Sequence, residues 1–164
     1  MPSTRGSDAK STVIRLHPIC SLVLASDAAY CDRVLRVVGD LGPVLLAITA
    51  EGRCGEPDDV LALVRRENPD VVVVDATGCE AGVERVATAL AETLPRVGVV
   101  IVCEHSTAAA RQLGALPKWG WTHDLRNAVE HAYADRRRRV LRAQPPGRPA
   151  APAPRTAGPL AGWD

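Results

Sequence analysis

The stretch NPDVVVVDATG, residues 68–78, decides the fold that this sequence predicts. Asn68 and Pro69 end any preceding helix, because the residue before a proline avoids the helical conformation. Four consecutive valines then follow Asp70. A short β-branched run that is apolar at every position is typical of a strand buried on both faces, as in a parallel sheet. The run ends at Asp75, which places a carboxylate at the end of a buried strand.

Strands and helices alternate on both sides of this run. Short apolar runs predict strands at 19–25, 44–49, 70–74, 97–103 and 116–121. Segments with an apolar period near 3.6 residues predict helices at 28–41, 57–67, 80–94, 106–113 and 123–141, three of them capped by Asp27, Ser106 and Thr122. Strict alternation with short loops predicts an α/β fold, a doubly wound (βα)5 domain with one five-stranded parallel sheet between two layers of helices.

The composition fits one globular domain with an uneven charge distribution. The chain has 164 residues, of which 46% are hydrophobic. Residues 1–135 hold 13 basic and 18 acidic side chains, whereas residues 136–164 hold seven arginines and one aspartate. We assign residues 19–141 to the domain. Residues 1–18 are predicted to be a disordered lead-in, and residues 142–164 a disordered tail rich in Arg, Pro and Ala.

Cysteine usage and hydropathy predict a cytoplasmic protein. The five cysteines include no CxxC pair, and no histidine lies at metal-ligand spacing from them. An odd number of cysteines without a recognisable signal peptide favours reduced thiols. Because no apolar run approaches 18 residues, no membrane span is predicted.

Polar side chains follow the predicted strands at the edge of the sheet where such folds bind ligands. Ser26 and Asp27 follow the first strand, Asp75 ends the third, the segment 103–106 follows the fourth, and Lys118 lies in the fifth. We expect Asp27, Asp75 and Lys118 to converge, because the carboxyl ends of parallel strands share one edge. Each also has a simpler interpretation: a helix cap for Asp27, a turn residue for Asp75 and a surface position for Lys118.

Over residues 19–141 this arrangement resembles the receiver domains of bacterial response regulators, which have a flavodoxin-like fold. NPDVVVVDATG is similar to the family's third strand, with Asp75 at the phospho-acceptor position and Gly82 near the family's following glycine. LPKWGWTHDLRNAVEHA, residues 116–132, is similar to its fifth strand and last helix, with Lys118 at the lysine position. The resemblance implies a two-component (phosphorelay) module in which Asp75 accepts a phosphoryl group. Lys118 and Ser106 are then the candidates for contacting that group.

The acidic pair of the family is incomplete here. Asp27 holds one position of the pair, and Ser26 holds the other. The resemblance implies that Asp27 and Asp75 bind Mg²⁺, but the loss of one carboxylate is expected to weaken that binding substantially. The prediction is therefore a degenerate pseudo-receiver that works without phosphorylation, with a working receiver as the alternative.

The segment after the fourth strand departs from the family too. Cys103 or Glu104 stands where the family has a switch hydroxyl, so Ser106 could serve only if the loop were shifted. The segment from Cys103 to Lys118 is short, which predicts a clipped fourth helix. Lys118 is followed by Trp119, where the family usually has proline.

Two surface features have alternative interpretations. The run Arg136, Arg137, Arg138 and Arg139 ends the last predicted helix, where it either complements the negative helix terminus or contacts a polyanion or partner. Nucleic-acid binding is predicted only through this Arg-rich end of the chain, because no DNA-reading motif follows. Trp119 and Trp121 alternate with Gly120, and we expect core packing for both rather than a binding surface.

The leading functional hypothesis is a signalling or regulatory module that binds a protein partner, either a kinase or a regulatory target, with homodimerisation open. A related hypothesis is the regulatory half of a larger assembly. The alternative is a domain that binds a nucleotide or cofactor without catalysis, although GxGxxG, P-loop and cobalamin signatures are absent. No nucleophile–base pair is visible, so an enzyme is not predicted. Mg²⁺ is the only cofactor expected.

Overall fold

The fold is described from a computed structural model, which describes residues 17–50, 52 and 54–143, with side chains to residue 139. The strands are β1 (Ser21–Ala25), β2 (Val44–Ile48), β3 (Val71–Asp75), β4 (Gly98–Cys103) and β5 (Leu116–Pro117). The helices are α1 (Ala28–Val38), α2 (Pro57–Glu67), α3 (Glu80–Thr93), α4 (Ala108–Gln112) and α5 (Thr122–Ala143). The predicted lead-in and tail lie almost wholly outside the described residues, and α5 continues two residues beyond the predicted domain boundary.

All five strands are parallel and form one sheet in the order β2-β1-β3-β4-β5. Side chains of α1 and α5 pack on one face of this sheet, and those of α2, α3 and α4 pack on the other. The predicted α/β fold class, a doubly wound parallel sheet between two helical layers, is confirmed.

The central strand β3 is buried on both faces, as its run of valines predicts. Val72 and Val74 pack towards α2 and α3, whereas Val71 and Val73 pack towards α1 and α5. All four valines are at most 1% exposed. Because successive side chains of a strand point to opposite faces, one continuous apolar run supplies both halves of the core.

Local sequence signals set the ends of α1 and α2. The side chain of Asp27 accepts hydrogen bonds from the backbone N–H groups of Ala29 and Tyr30, so it caps α1. Pro57 begins α2, and Asn68 ends it in the left-handed conformation with φ of 48°. These are the boundaries that Asp27, Pro57 and the Asn68–Pro69 pair predicted.

The fifth strand is much shorter than predicted. Strand β5 pairs only Leu116 and Pro117 with the last two residues of β4, and the N–H of Lys118 adds one bond to Cys103. The chain then turns, with the N–H of Gly120 donating to the carbonyl oxygen of Pro117. The predicted strand 116–121 therefore contains a turn in its second half.

This turn changes the environment of both tryptophans. Trp119 is 47% exposed and Trp121 is 76% exposed. Core packing was therefore the wrong expectation for Trp121, and only half of Trp119 is covered. The ring of Trp119 meets that of Tyr30 edge-on, with the centroids 5.7 Å apart.

Helix α4 is clipped, as the short segment before Lys118 predicted. It spans five residues, and its N-cap is Thr107, whose hydroxyl accepts a hydrogen bond from the N–H of Ala110. The predicted cap at Ser106 was wrong by one residue, because two adjacent hydroxyl residues offer the same cap chemistry.

No helix within the described part of the chain has the length and apolar character needed to cross a membrane.

Gly98 allows α5 to pack closely against β4. A methyl group on Gly98 would lie 2.7 Å from the carbonyl oxygen of Ala132 and 2.9 Å from its Cβ. We expect Gly98→Ala to lower the free energy of unfolding by about 2 kcal/mol, because the helix backbone must move to relieve the overlap. Urea denaturation measures this change.

Gly114→Ala is the control, because a Cβ there meets nothing within 4 Å although φ is +67°. Its cost is backbone strain alone, on the order of 1 kcal/mol. An unfolding midpoint that stays unchanged in Gly98→Ala would contradict the close seating of α5 on β4.

Candidate functional site at the carboxyl edge of the sheet

Three charged side chains meet at the carboxyl edge of the sheet. The Nζ atom of Lys118 lies 2.8 Å from Oδ2 of Asp75 and 3.3 Å from Oδ2 of Asp27. The side chains of Lys118 and Asp75 are 4% and 3% exposed, whereas that of Asp27 is 35% exposed. One ammonium group therefore lies between two carboxylates, and its shorter contact is with the buried one.

The second carboxylate oxygen of Asp75 is bound by Thr77. Oδ1 accepts hydrogen bonds from the Thr77 hydroxyl at 2.6 Å and from the Thr77 N–H at 3.0 Å. The Thr77 hydroxyl oxygen in turn accepts the N–H of Glu104 at 3.2 Å. Thr77 thus connects the carboxylate of Asp75 to the loop that follows β4. Because its side chain binds the N–H two residues later, Asp75 also turns the chain after β3, as the simpler interpretation of this residue predicted.

Asp27 has two roles as well. Its Oδ1 caps α1, and its Oδ2 faces Lys118. Burial acts to raise the pKa of Asp27, but hydrogen bonds from the N–H of Tyr30 and from Lys118 outweigh it, so the pKa is lowered. The carboxylate is therefore held in its charged form, beside the cation that needs it.

Lys118 lies in a pocket of rings and carboxylates, so its interpretation as a surface lysine was wrong. Its Nζ is 5.3 Å from the centroid of the Tyr30 ring and 5.6 Å from that of the Trp119 ring. Burial acts to lower the pKa of Lys118, but the ion pairs with Asp75 and Asp27 outweigh it and raise the pKa. The ammonium group is therefore stable inside the protein only because both carboxylates are present.

Tyr30 and Arg33, on consecutive turns of α1, close the site from one side. Tyr30 is fully buried, and its hydroxyl has no hydrogen-bond partner among the described residues. The guanidinium group of Arg33 donates to the carbonyl oxygen of Gly120 and lies over the Trp119 ring at 5.8 Å from the centroid. These contacts hold the turn that follows β5 against α1, which covers Lys118.

The donor set does not fit Mg²⁺ well. Mg²⁺ prefers six oxygen ligands in near-octahedral geometry. All four carboxylate oxygens here are used within the protein: Oδ2 of Asp27 and of Asp75 face Lys118, and the two Oδ1 atoms accept backbone or hydroxyl hydrogens. Within the part of the chain that the structure describes, no group of three His, Cys, Asp or Glu side chains could hold a metal ion.

Ser106 lies apart from the three charged residues. It is exposed, in the loop between β4 and α4, beside a small pocket of 90 Å³. Strand β4 ends at Cys103, whose Sγ lies 3.7 Å from Oε1 of Glu80. The hydroxyl that reaches Asp75 comes from Thr77, and the proposed phosphate contact of Ser106 stays a prediction.

The arginine run lies on the last part of α5, away from this site. Arg136 is half-buried, 2.5 Å from Oδ1 of Asp70, and it donates to the carbonyl oxygen of Arg96. Arg137, Arg138 and Arg139 are exposed. Arg136 therefore joins α5 to the start of β3, and contact with a polyanion stays a prediction for the run.

Comparison with solved structures identifies the fold. The BeF3-activated DrrB receiver domain aligns with 72% of this chain and 99% of its own, at 18% identity and a TM-score of 0.55. A response regulator from Thermotoga maritima gives the same coverage and TM-score at 17% identity. The apo receiver domain of Nitrogen Regulatory Protein C covers 71% of this chain and 94% of its own, at 21% identity and a TM-score of 0.54. This chain has the receiver-domain fold. No family model and no curated protein matches the sequence.

Within this receiver fold, sequence reasoning missed two residues of the site. Thr77 follows Asp75 by two positions, which is the spacing of a side chain that bonds the backbone of its own turn. That spacing was a usable signal for Thr77. Tyr30 gave no such signal, since only the folded chain brings its ring against Lys118.

The Tyr30 hydroxyl gives a test of the packing in this receiver fold. We expect Tyr30→Phe to raise the free energy of unfolding by about 1 kcal/mol, because it removes a buried polar group that makes no hydrogen bond. Tyr30→Leu is the matched control, and it should destabilise the protein by removing the ring contacts with Trp119 and Lys118. A loss of stability in Tyr30→Phe would mean that the hydroxyl has a partner. Chemical denaturation distinguishes these outcomes.

Lys118→Met should destabilise the protein by about 3 kcal/mol at neutral pH, because it leaves the buried Asp75 carboxylate without its cation. The double variant Lys118→Met with Asp75→Asn should recover much of that loss. A loss of stability in the double variant that equals the sum of the losses in the two single variants would show that the ion pair contributes no coupling. Urea denaturation of the four proteins completes the cycle.

The pKa directions also predict a pH dependence. Because the pKa of Lys118 is raised, its contribution to the free energy of unfolding is fully present below its unfolded-state pKa. That contribution is lost as the pH rises through its folded-state pKa. The lowered pKa of Asp27 means that its contribution is present above its unfolded-state pKa and is lost as pH falls through the folded-state value. The stabilisation should therefore be greatest between about pH 4 and about pH 10, and Lys118→Met should flatten the alkaline limb.

Proposed function

We propose that this chain is a receiver-like regulatory module that binds a protein partner and does not require phosphorylation of Asp75. The observation that carries this proposal is the buried ammonium group of Lys118 in contact with both carboxylates of the site. The partner would be a regulatory target rather than a protein that adds or removes a phosphoryl group.

The first supporting step is the state of the acceptor. A carboxylate that attacks a phosphoryl group must present an oxygen lone pair that the phosphorus atom can reach, and Oδ2 of Asp75 is a buried atom. Oδ1 of Asp75 accepts two hydrogen bonds from Thr77, and Oδ2 faces Lys118 at 2.8 Å. Freeing either oxygen would expose a buried charge or leave a buried donor unpaired, and each of these costs free energy.

The second step is the charge that a phosphoryl group would bring. Positive charge must neutralise its oxygens during transfer, and a divalent cation usually supplies most of it. Here one ammonium group faces two carboxylates, so the site already carries a formal charge of about −1 before any phosphoryl oxygen arrives. Ser26 stands where a further carboxylate would have to attract the metal.

The third step is the absence of visible substrate chemistry. The ammonium group of Lys118 is paired with both carboxylates, and none of the three side chains is a nucleophile activated by a neighbouring base. A module of this kind acts by offering a surface of fixed shape to another protein. It turns over no substrate in this proposal.

Beryllofluoride with Mg²⁺ tests the proposal directly, because it mimics a phosphoryl group on an aspartate; the DrrB receiver domain was solved in a BeF3-activated form. We expect wild-type protein to show no Mg²⁺-dependent change in thermal midpoint or amide chemical shifts, and to behave like Asp75→Asn. Ser26→Asp is the matched variant that restores the second carboxylate, and it should gain a Mg²⁺-dependent shift. A wild-type response that Asp75→Asn abolishes would overturn the proposal and make Asp75 a working acceptor.

A second candidate function is binding of a small molecule without catalysis. A cleft of 570 Å³ opens beside the end of β2, between the loop before α2 and the start of α3. Its volume is in the range of ligand pockets. However, no aromatic side chain among the described residues lines it, and the carboxylates of Glu56 and Asp59 outnumber the guanidinium group of Arg85, which disfavours the phosphates of a nucleotide. Partner binding is therefore the better supported function.

A further inference from the structure

Strand β2 forms one edge of the sheet and is unusually open. It pairs with β1 on one side, and no other strand of residues 17–50, 52 and 54–143 lies beyond it. Leu46 is 44% exposed and Ile48 is 66% exposed. Edge strands are usually protected from pairing by charged residues or prolines. Val44–Ile48 contains neither.

The opposite edge of the sheet is protected. Strand β5 contains only two residues, and one of them is Pro117, which has no N–H to donate. The chain then turns away at Gly120. The contrast shows that exposure of a long apolar edge is specific to β2.

The backbone of β2 shows which groups are open. The carbonyl oxygen of Pro43 accepts from Ser21, and the N–H of Thr49 donates to Ala25, so the odd-numbered residues direct their hydrogen-bonding groups towards β1. The even-numbered residues therefore direct theirs away from the sheet, since the direction alternates along a strand. These residues are Val44, Leu46 and Ile48.

We propose that β2 pairs edge to edge with β2 of a second copy of this chain, antiparallel and centred on Leu46. In this register Leu46 faces Leu46 of the other copy, and Val44 faces Ile48. Each facing pair exchanges two backbone hydrogen bonds, because all three residues direct both their N–H and C=O groups outwards. The two sheets become one continuous sheet through a twofold axis.

The side chains on this edge are complementary under the same axis. Val44 packs in the cluster that contains α1, so Leu46 and Ile48, two and four residues later, point to the α1 face. Leu35 of α1 is 45% exposed. It lies on the side of the helix opposite Arg33 and Val37, which contact the turn after β5 and α5. Leu35 therefore lies on the β2 side and extends the apolar edge.

Charge is complementary as well. Asp32 and Arg36 are both exposed and lie one turn apart on the outer surface of α1. A twofold axis places the two α1 helices antiparallel on the same face of the joined sheet. Asp32 of one copy then approaches Arg36 of the other, which favours a second copy of this chain over a partner strand of arbitrary sequence.

The size of the contact sets the expected strength. Stable interfaces bury about 800 Å² per partner, and one strand edge with one helix stripe is at or below this size. We therefore expect a dimer that forms at micromolar concentration and dissociates on dilution. This inference is independent of the proposed function, because a monomer could still bind a partner without phosphorylation.

Sedimentation velocity of the full chain at rising concentration tests the proposal. Wild-type protein should shift from monomer to dimer, and Leu46→Lys should remain monomeric because two ammonium groups would meet at the axis. Trp121→Lys is the matched control, since it adds the same charge at another exposed apolar residue far along the chain, and it should dimerise like wild type. Circular dichroism confirms that both variants fold.

A cross-link distinguishes this register from other dimers. The Cα atoms of a hydrogen-bonded antiparallel pair lie about 5.5 Å apart, which suits a disulfide. Leu46→Cys should therefore form a covalent dimer on mild oxidation with oxidised glutathione, whereas wild type and Trp121→Cys should not. A monomeric wild-type protein up to millimolar concentration, or a dimer that Leu46→Lys leaves intact, would overturn the proposal.

Discussion

The ion pair between Lys118 and Asp75 is the constraint on which this structure depends. The charge of a lysine side chain that is only 4% exposed is tolerable only beside a compensating charge, and Asp75 at the end of β3 supplies it at 2.8 Å. The pair also joins strands that do not touch, because β4 lies between β3 and β5. Since β5 forms only two residues of ladder, the position of the chain after it is set by the Lys118 contacts and by the hydrogen bond from Arg33 to Gly120. The charged site is thus part of the framework that holds the edge of the sheet.

The same interaction limits what the site can do. A group that holds the fold together is not available for chemistry without a loss of stability, and both oxygens of Asp75 are engaged. Thr77 strengthens this restriction, because its hydroxyl links Asp75 to the loop after β4. In a switchable site these contacts would need two arrangements of similar free energy. Here one arrangement satisfies the carboxylate, the ammonium group and the hydroxyl together, which favours a fixed shape over a switch.

The sequence predicted the parts of the fold that local chemistry determines. The valine run bounded by Asn68–Pro69 and Asp75 could be only a buried strand, and Asp27 before a periodic segment could be recognised as a helix cap. The failures lie where neighbours in space decide. The turn at Gly120 replaced half of the predicted fifth strand because Arg33, 87 residues earlier, binds its carbonyl oxygen. One further failure is local: the cap of α4 fell on Thr107 and not on Ser106, since two adjacent hydroxyl residues offer the same cap chemistry. The convergence of Asp27, Asp75 and Lys118 was predictable from parallel topology, whereas the burial of Asp75 and Lys118 was not.

The two edges of the sheet differ in how far they depend on the buried ion pair. The edge at β5 is closed by Pro117, by the turn and by the buried lysine, so its shape depends on the ion pair. The edge at β2 has backbone groups and apolar side chains directed outwards, and its register to β1 does not involve the charged site. A new contact at β2 therefore alters what the protein binds without altering the contacts of Asp75. In the regulatory module proposed above, association at an open edge is a route by which concentration sets the state of the protein without phosphoryl transfer.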